Sequence, residues 1–113
     1  MFQVVFYEMA SGRKPAAEYL ASLKPDDAAR MQEKLRLLQE LGNELKAPHS
    51  KPLRDGIMEL RTQNRGRWHR VLYFFVVGQT VVLTHGFTKK TDKTPDREID
   101  KAKRYKDDYE KTK

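Results

Sequence analysis

The chain has 113 residues, of which 38% are hydrophobic and 35% charged, the length of one domain able to bury a single core. It contains no cysteine, which excludes disulfide scaffolds, thiol nucleophiles and cysteine-ligated zinc. The net charge is +7, which favours an anionic partner. Residues 46–90 carry nine Lys/Arg against two Asp/Glu, whereas residues 1–45 carry six against seven and residues 91–113 eight against seven. The excess is therefore concentrated in the middle of the chain, as one anion-binding surface requires. The longest apolar run, residues 71–77, is far short of the ~18 residues of a membrane span. The opening MFQVVFYEMASG lacks the basic start and apolar block of a secretory leader. A soluble protein of the cytoplasm is expected, with no membrane partner.

Residues 2–7 (FQVVFY) are β-branched and aromatic and predict a strand. Ser11 and Gly12 signal a turn. Ala16, Leu20 and Leu23 have helical spacing. Pro25, at a first helical position, is followed by Asp26 and Asp27, which suit a helix N-terminus. Ala28, Met31, Leu35, Leu38 and Leu41 then form one apolar stripe that stops at Gly42 and Asn43. These segments predict a helical hairpin.

Residues 44–56 read as irregular. A short strand is expected over 57–61, a turn at 64–66, a long strand over 67–77, a tight turn at Gly78 and Gln79, and a hairpin partner over 80–87. Residues 88–93 read as a polar loop. Thr94, Pro95 and Asp96 read as an N-cap, a first-turn proline and an acidic residue opening a last helix. Its stripe is Ile99, Ala102, Tyr105 and Tyr109. The expected architecture is α+β: a small antiparallel sheet with helices on one face, the other face partly open. No repeat or domain break interrupts residues 1–113, which form one domain.

Strand alternation puts Trp68, Arg70, Leu72 and Phe74 on one face and Arg67, His69, Val71 and Tyr73 on the other. Glu59 and Arg61 share a side. If the strands are neighbours, Arg61, one of Arg67 and Arg70, and the pair Lys89 and Lys90 converge at one end of the sheet. Such a cluster suits RNA phosphates, with arginine binding bidentately and lysine as a compact charge. Lys51, Arg54, Arg65 and Arg67 are further candidate phosphate contacts in the same segment. Single cations on strands are otherwise solvated or protect sheet edges. His49, His69 and His85 have no ligand spacing and no acidic cluster beside them, so no metal site is expected. His85 reads equally as a catalytic group or a structural hydrogen-bonded histidine. Glu59 reads equally as a base or as a partner for Arg61.

The ordered words Glu59-Leu60-Arg61, Gly66-Arg67 and Arg70 before Val71-Leu72-Tyr73-Phe74, then His85-Gly86-Phe87-Thr88-Lys89-Lys90-Thr91 and Lys93-Thr94-Pro95, carry a resemblance. The chain resembles the RelE/HigB superfamily of toxins from type II toxin–antitoxin systems, in its HigB-like, phage-derived branch. That resemblance implies a microbial-ribonuclease-like fold. It implies a ribosome-dependent mRNA endonuclease (mRNA interferase) that inhibits translation with no metal or other cofactor. The 2′-hydroxyl of the mRNA attacks the adjacent phosphate, leaving a 2′,3′-cyclic phosphate and a 5′-hydroxyl. Partners would be the ribosome, mRNA and a cognate helix-turn-helix antitoxin. By the same resemblance Arg61, Arg70, Lys89, Lys90 and His85 are the candidate catalytic residues, with a lysine or His85 taking the 2′-hydroxyl proton. Two rival readings are a basic nucleic-acid-binding module without catalysis and a protein-interaction module.

Overall fold

The computed structural model describes residues 1–112. In chain order it contains β1 (Gln3–Phe6), α1 (Pro15–Ser22), α2 (Pro25–Leu41), a 3-10 turn (Gly42–Glu44), β2 (Ser50–Pro52), β3 (Met58–Asn64), β4 (Arg67–Val76), β5 (Thr80–Lys89) and α3 (Asp96–Lys111). The five strands form one sheet in the order β1-β5-β4-β3-β2. The fold is α+β, but the sheet is mixed. β2 to β5 are antiparallel neighbours, whereas β1 runs parallel to β5. The helical hairpin between β1 and the rest of the sheet is the crossover that a parallel pair demands.

Both faces of the sheet are covered, contrary to the expectation of one open face. Val71, Tyr73, Val81, Leu83 and Leu60 pack with Ala16, Met31 and Leu38 of the helical hairpin. Leu72, Phe74, Val82 and Phe87 pack on the opposite side with Ile99 and Ala102 of α3. The reason lies in β4 itself. Residues 71–76 are apolar at both parities of a strand, the pattern of a strand buried on two faces. Tyr7 stacks on Tyr105, with centroids 4.6 Å apart, and donates to Asp108 Oδ2 at 2.6 Å. Burial and that carboxylate push the Tyr7 phenol up to about 12. No helix among the described residues is long and apolar enough to cross a membrane.

Several boundaries differ from expectation. β2 lies within the segment read as irregular, held by its three-residue pairing to β3 and by Ser50 Oγ against Tyr73 Oη at 2.8 Å. β3 continues to Asn64 and β5 to Lys89, so His85 is in mid-strand rather than at a strand end. Thr94 does not cap α3. Its hydroxyl is turned to the buried Glu59, and Pro95 holds the cap position without a side-chain bond.

A bulge in β5 re-aims its side chains. Leu72 opposes His85 while Tyr73 opposes Leu83, so Thr84 is the extra residue. Its hydroxyl donates to the Leu72 carbonyl at 3.1 Å. Next to it, Gly86 lets Tyr19 of α1 lie against the sheet, because a Cβ at Gly86 would overlap the Tyr19 ring. We therefore expect Gly86→Ala to destabilise the fold by roughly 1–3 kcal/mol. In urea unfolding, Tyr19→Ala in the same chain should cancel much of that loss. Two additive penalties would show that ring and glycine are not in contact.

Candidate functional site

Residues directly opposite one another on paired strands share a face. Lys51 opposes Glu59, Arg61 opposes Arg70, Arg70 opposes Phe87, and Trp68 opposes Lys89. All of these therefore lie on the α3 face. α3 covers the Leu72 and Phe74 half of that face. The loop of residues 90–95 runs over the other half.

At the centre is a buried carboxylate between two guanidinium groups. Glu59 and Arg70 are fully buried. Arg70 Nε lies 3.4 Å from Glu59 Oε1, and Arg61 Nε 3.3 Å from Glu59 Oε2. Thr94 Oγ1 donates to Glu59 Oε1. Arg70 Nη2 donates to the carbonyl of Thr91 at 2.5 Å and to that of Asp92. The Arg61 guanidinium stacks 4.3 Å above Trp68 and binds the Asp92 carboxylate. Arg70 sits 5.6 Å from the centroid of Phe87 and 5.8 Å from that of Trp68. Burial lowers the Arg70 pKa while Glu59 opposes the shift. Arg61 holds the Asp92 carboxyl below the ordinary carboxylate range. Glu59 is thus an ion-pair partner whose oxygens already face the two arginines and Thr94.

The two arginines differ in access. The Arg61 side chain is 12% exposed and its partner Asp92 is 69% exposed. Arg70 has no exposure at all; it reaches the surface only by way of the loop carbonyls it binds. Lys51 and Lys90 are exposed and Lys89 is half-buried. Of the expected group, Arg61, Arg70 and Lys89 share one face and Lys51 joins them from β2, whereas Lys90 lies just past the end of β5.

Other candidates lie elsewhere. His85 is on the same face but beneath α3. Its Nε2 is 3.0 Å from Glu98 Oε1, its Nδ1 is 3.1 Å from Thr84 Oγ1, and its ring lies between Phe87 and Tyr105. Burial lowers its pKa, with Lys101 and Arg104 adding to the shift and Glu98 opposing it. Arg54 is tied to Asp55 at 3.0 Å and to Asp100 of α3 at 2.7 Å. Arg65 and Arg67 face a separate cleft on the hairpin side of the sheet.

That cleft contains a polar chain overlooked in the sequence. His69 Nε2 faces Asp27 Oδ1 at 3.3 Å, and its Nδ1 lies 2.9 Å from Thr88 Oγ1. Thr88 Oγ1 is in turn 2.8 Å from the Tyr19 hydroxyl, which donates to the Phe87 carbonyl at 3.1 Å. The parity of β4 placed His69 on this face. Its partners come from α1, α2 and β5, which no local pattern connects. Asp92, Thr94 and the platform role of Trp68 were hidden for the same reason.

The sequence profile of the family described as phage derived protein Gp49-like (DUF891) matches residues 18–107. The match takes in α2, β2 to β5 and most of α3. No curated protein matches the chain.

Removing the central carboxylate should be costly, because it leaves two guanidinium groups facing each other without a counter-charge. We expect Glu59→Ala to lose about 3–5 kcal/mol in urea unfolding, and Glu59→Gln, which keeps an acceptor for Thr94, to lose less. His85 supplies a pH dependence. Its folded pKa lies below the unfolded value of ~6.5, so the unfolded chain binds more protons. Stability is therefore full above pH ~6.5 and falls as the pH drops below it. The melting temperature should decline between pH 7 and 5 in the wild type, and this decline should flatten in His85→Gln.

Proposed function

The chain belongs to the Gp49-like phage-derived family, and we propose that it is the toxin of a toxin–antitoxin pair, an mRNA endonuclease that acts on the ribosome without a metal. The observation that carries this reading is the row of Lys51, Arg61, Arg70 and Lys89 on one face, at the end of the sheet crossed by the loop of residues 90–95. The resemblance to RelE/HigB toxins supplies the reaction class, and the row supplies groups able to perform it. A RelE-like fold is part of the same proposal, supported by the helical hairpin, the sheet and the closing helix. The cognate antitoxin, by the same resemblance, is a helix-turn-helix protein.

In the proposed mechanism the scissile phosphate takes the place of the Asp92 carboxylate on Arg61. Arg61 is suited to this seat because its flat guanidinium is already oriented by Trp68, which a lysine would not be. The 2′-oxygen bonds to phosphorus, the 5′-oxygen departs, and a 2′,3′-cyclic phosphate and a 5′-hydroxyl result. The charge that grows on the phosphoryl oxygens falls on Arg61. Preoriented charge of this kind is worth ~100-fold to 1,000-fold in rate per donor. Lys89, which opposes Trp68, is assigned the proton of the 2′-hydroxyl, and Lys90 the leaving oxygen. Arg70 works through the loop: it binds the Thr91 and Asp92 carbonyls and so sets where Asp92 rests. His85, enclosed with Glu98 under α3, has no part in the chemistry. Few acids and bases are available, so the ribosome would contribute the orientation of the mRNA.

One observation favours the non-catalytic alternative. Arg61 is already occupied by Asp92 and Arg70 is sealed, as suits a protein that only binds nucleic acid at its surface. A reconstituted translation reaction with one defined mRNA separates the two. Cleavage predicts new 5′-hydroxyl ends in register with codons, absent without ribosomes and reduced at least ~100-fold by Arg61→Ala. Intact mRNA with a folded preparation that binds RNA in a salt-dependent way would establish the binding module instead.

A further inference from the structure

The cleft on the hairpin side of the sheet has no role in the cleavage mechanism, and its composition calls for a ligand. Its volume is about 510 Å³, within the range of small-molecule sites, ~300–1,000 Å³. Lys24, Arg65 and Arg67 stand exposed around it. None of the three makes an ion pair among the described residues. Elsewhere Arg13, Arg36 and Arg54 are each matched by a carboxylate.

Two features show that this charge is directed into the cleft. The first is Arg65. It occupies the first position of the two-residue turn between β3 and β4, at φ +54°, before Gly66 at φ +75°. Turns of this kind prefer Asn or Gly there, and a bulky side chain at positive φ is uncommon. An arginine in that position places a cation at the cleft at the expense of turn chemistry. The second is the balance of charge in the lining, three cations against the single carboxylate of Asp27. Asn64 Nδ2 donates to Asp27 Oδ1 at 2.8 Å and holds the Asp27 carboxyl below its ordinary range, with His69 and Arg65 assisting. The carboxylate is held ionised and engaged by Asn64 and His69, and the three cations around it leave the opening net positive.

The remaining lining is suited to more than a bare ion. Leu23 and the ring of Tyr19 give an apolar wall, and the hydroxyls of Thr88 and Ser22 lie beside it. His69 braces Thr88 from below at 2.9 Å. Cations for a phosphate, an apolar wall for a base and hydroxyls for a sugar meet in one opening. We propose that this cleft binds a phosphate-bearing nucleotide, with Arg65 and Arg67 on the phosphate and the base against Tyr19 and Leu23. The occupant is either a unit of single-stranded RNA or a free nucleotide. This binding is independent of cleavage at Arg61.

The test is an NMR titration of the full chain with uridine 5′-monophosphate, uridine, inorganic phosphate and a 5′-phosphorylated uridine trinucleotide. The nucleotide should shift the amides of Asn64 to Arg67 and Thr88 and the ring signals of His69. Uridine and inorganic phosphate should each bind at least about tenfold more weakly, the loss expected for one charge-assisted contact. Arg65→Asn places a preferred residue in the turn, so it should fold as well as the wild type and lose at least about tenfold in affinity. A trinucleotide that binds more tightly than the mononucleotide assigns the cleft to RNA; equal affinity assigns it to free nucleotides. Unmoved cleft signals, unchanged affinity in Arg65→Asn, or inorganic phosphate binding as tightly as the nucleotide would each overturn the proposal. Signals from Arg61 and Lys89 in the same spectra, and the Arg61→Ala cleavage assay, report separately on the proposed active site.

Discussion

The buried carboxylate of Glu59 is the contact on which the arrangement of the α3 face depends. It lies between Arg61 and Arg70 on adjacent strands and receives the hydroxyl of Thr94 from the segment that leads into α3. One side chain therefore relates β3, β4 and the loop to one another. Its energetic value is in placement more than in net stability. Burying three charges costs desolvation that their attraction only partly returns, and an apolar trio of the same volume would be no less stable. An apolar trio, however, would leave no cation at the surface and no donor for the loop carbonyls.

The same economy explains why the two sites lie at one end of the sheet. β4 and β5 are buried on both faces along most of their length, by the helical hairpin on one side and α3 on the other. At the beginning of β4 and the end of β5 the hairpin approaches through polar side chains, Tyr19 against Thr88 and Asp27 against His69, and the loop of residues 90–95 takes the place of α3 on the other face. Polar residues are tolerated there because one side of each remains near water or a charged partner. Alternation then sorts them. Trp68 and Lys89 join Arg61 on the α3 face, while Arg67, His69 and Thr88 open on the hairpin side.

Much of this was legible in the sequence, and the parts that were not have specific causes. The order of the long elements could be read because β4, β5, α2 and α3 each carry a full period of apolar residues. β2 could not, since three residues are too few for a period and its place depends on pairing with β3. The second covered face was implicit in the run 71–76, whose apolar residues fall on both parities. The bulge at Thr84 breaks strict alternation in β5, so Val82 and His85 share a face although three residues apart. Parity alone therefore could not tell that His85 lies under α3 beside Glu98. Thr94 has the composition of a cap and a different partner: its hydroxyl donates to the buried Glu59 carboxylate, and the cap position falls on Pro95.

Arg61 and Arg70 show how far residue type falls short of role. They are the same side chain, directly opposite in register, and both contact Glu59 and Trp68. What separates them is the neighbouring strand. Arg70 lies on the central strand β4, with β5 and Phe87 beyond it, and the loop closes over it. Arg61 lies one strand nearer the edge, flanked only by the short β2, so its guanidinium extends past the covered region to Asp92. A buried arginine whose donors are directed to two loop carbonyls acts as a structural fastener. An arginine stacked on an indole and paired with an exposed loop carboxylate presents its guanidinium at the surface. The distinction follows from strand order and the course of the loop, properties of the whole fold that neither the ELR word nor the charge of the segment contains.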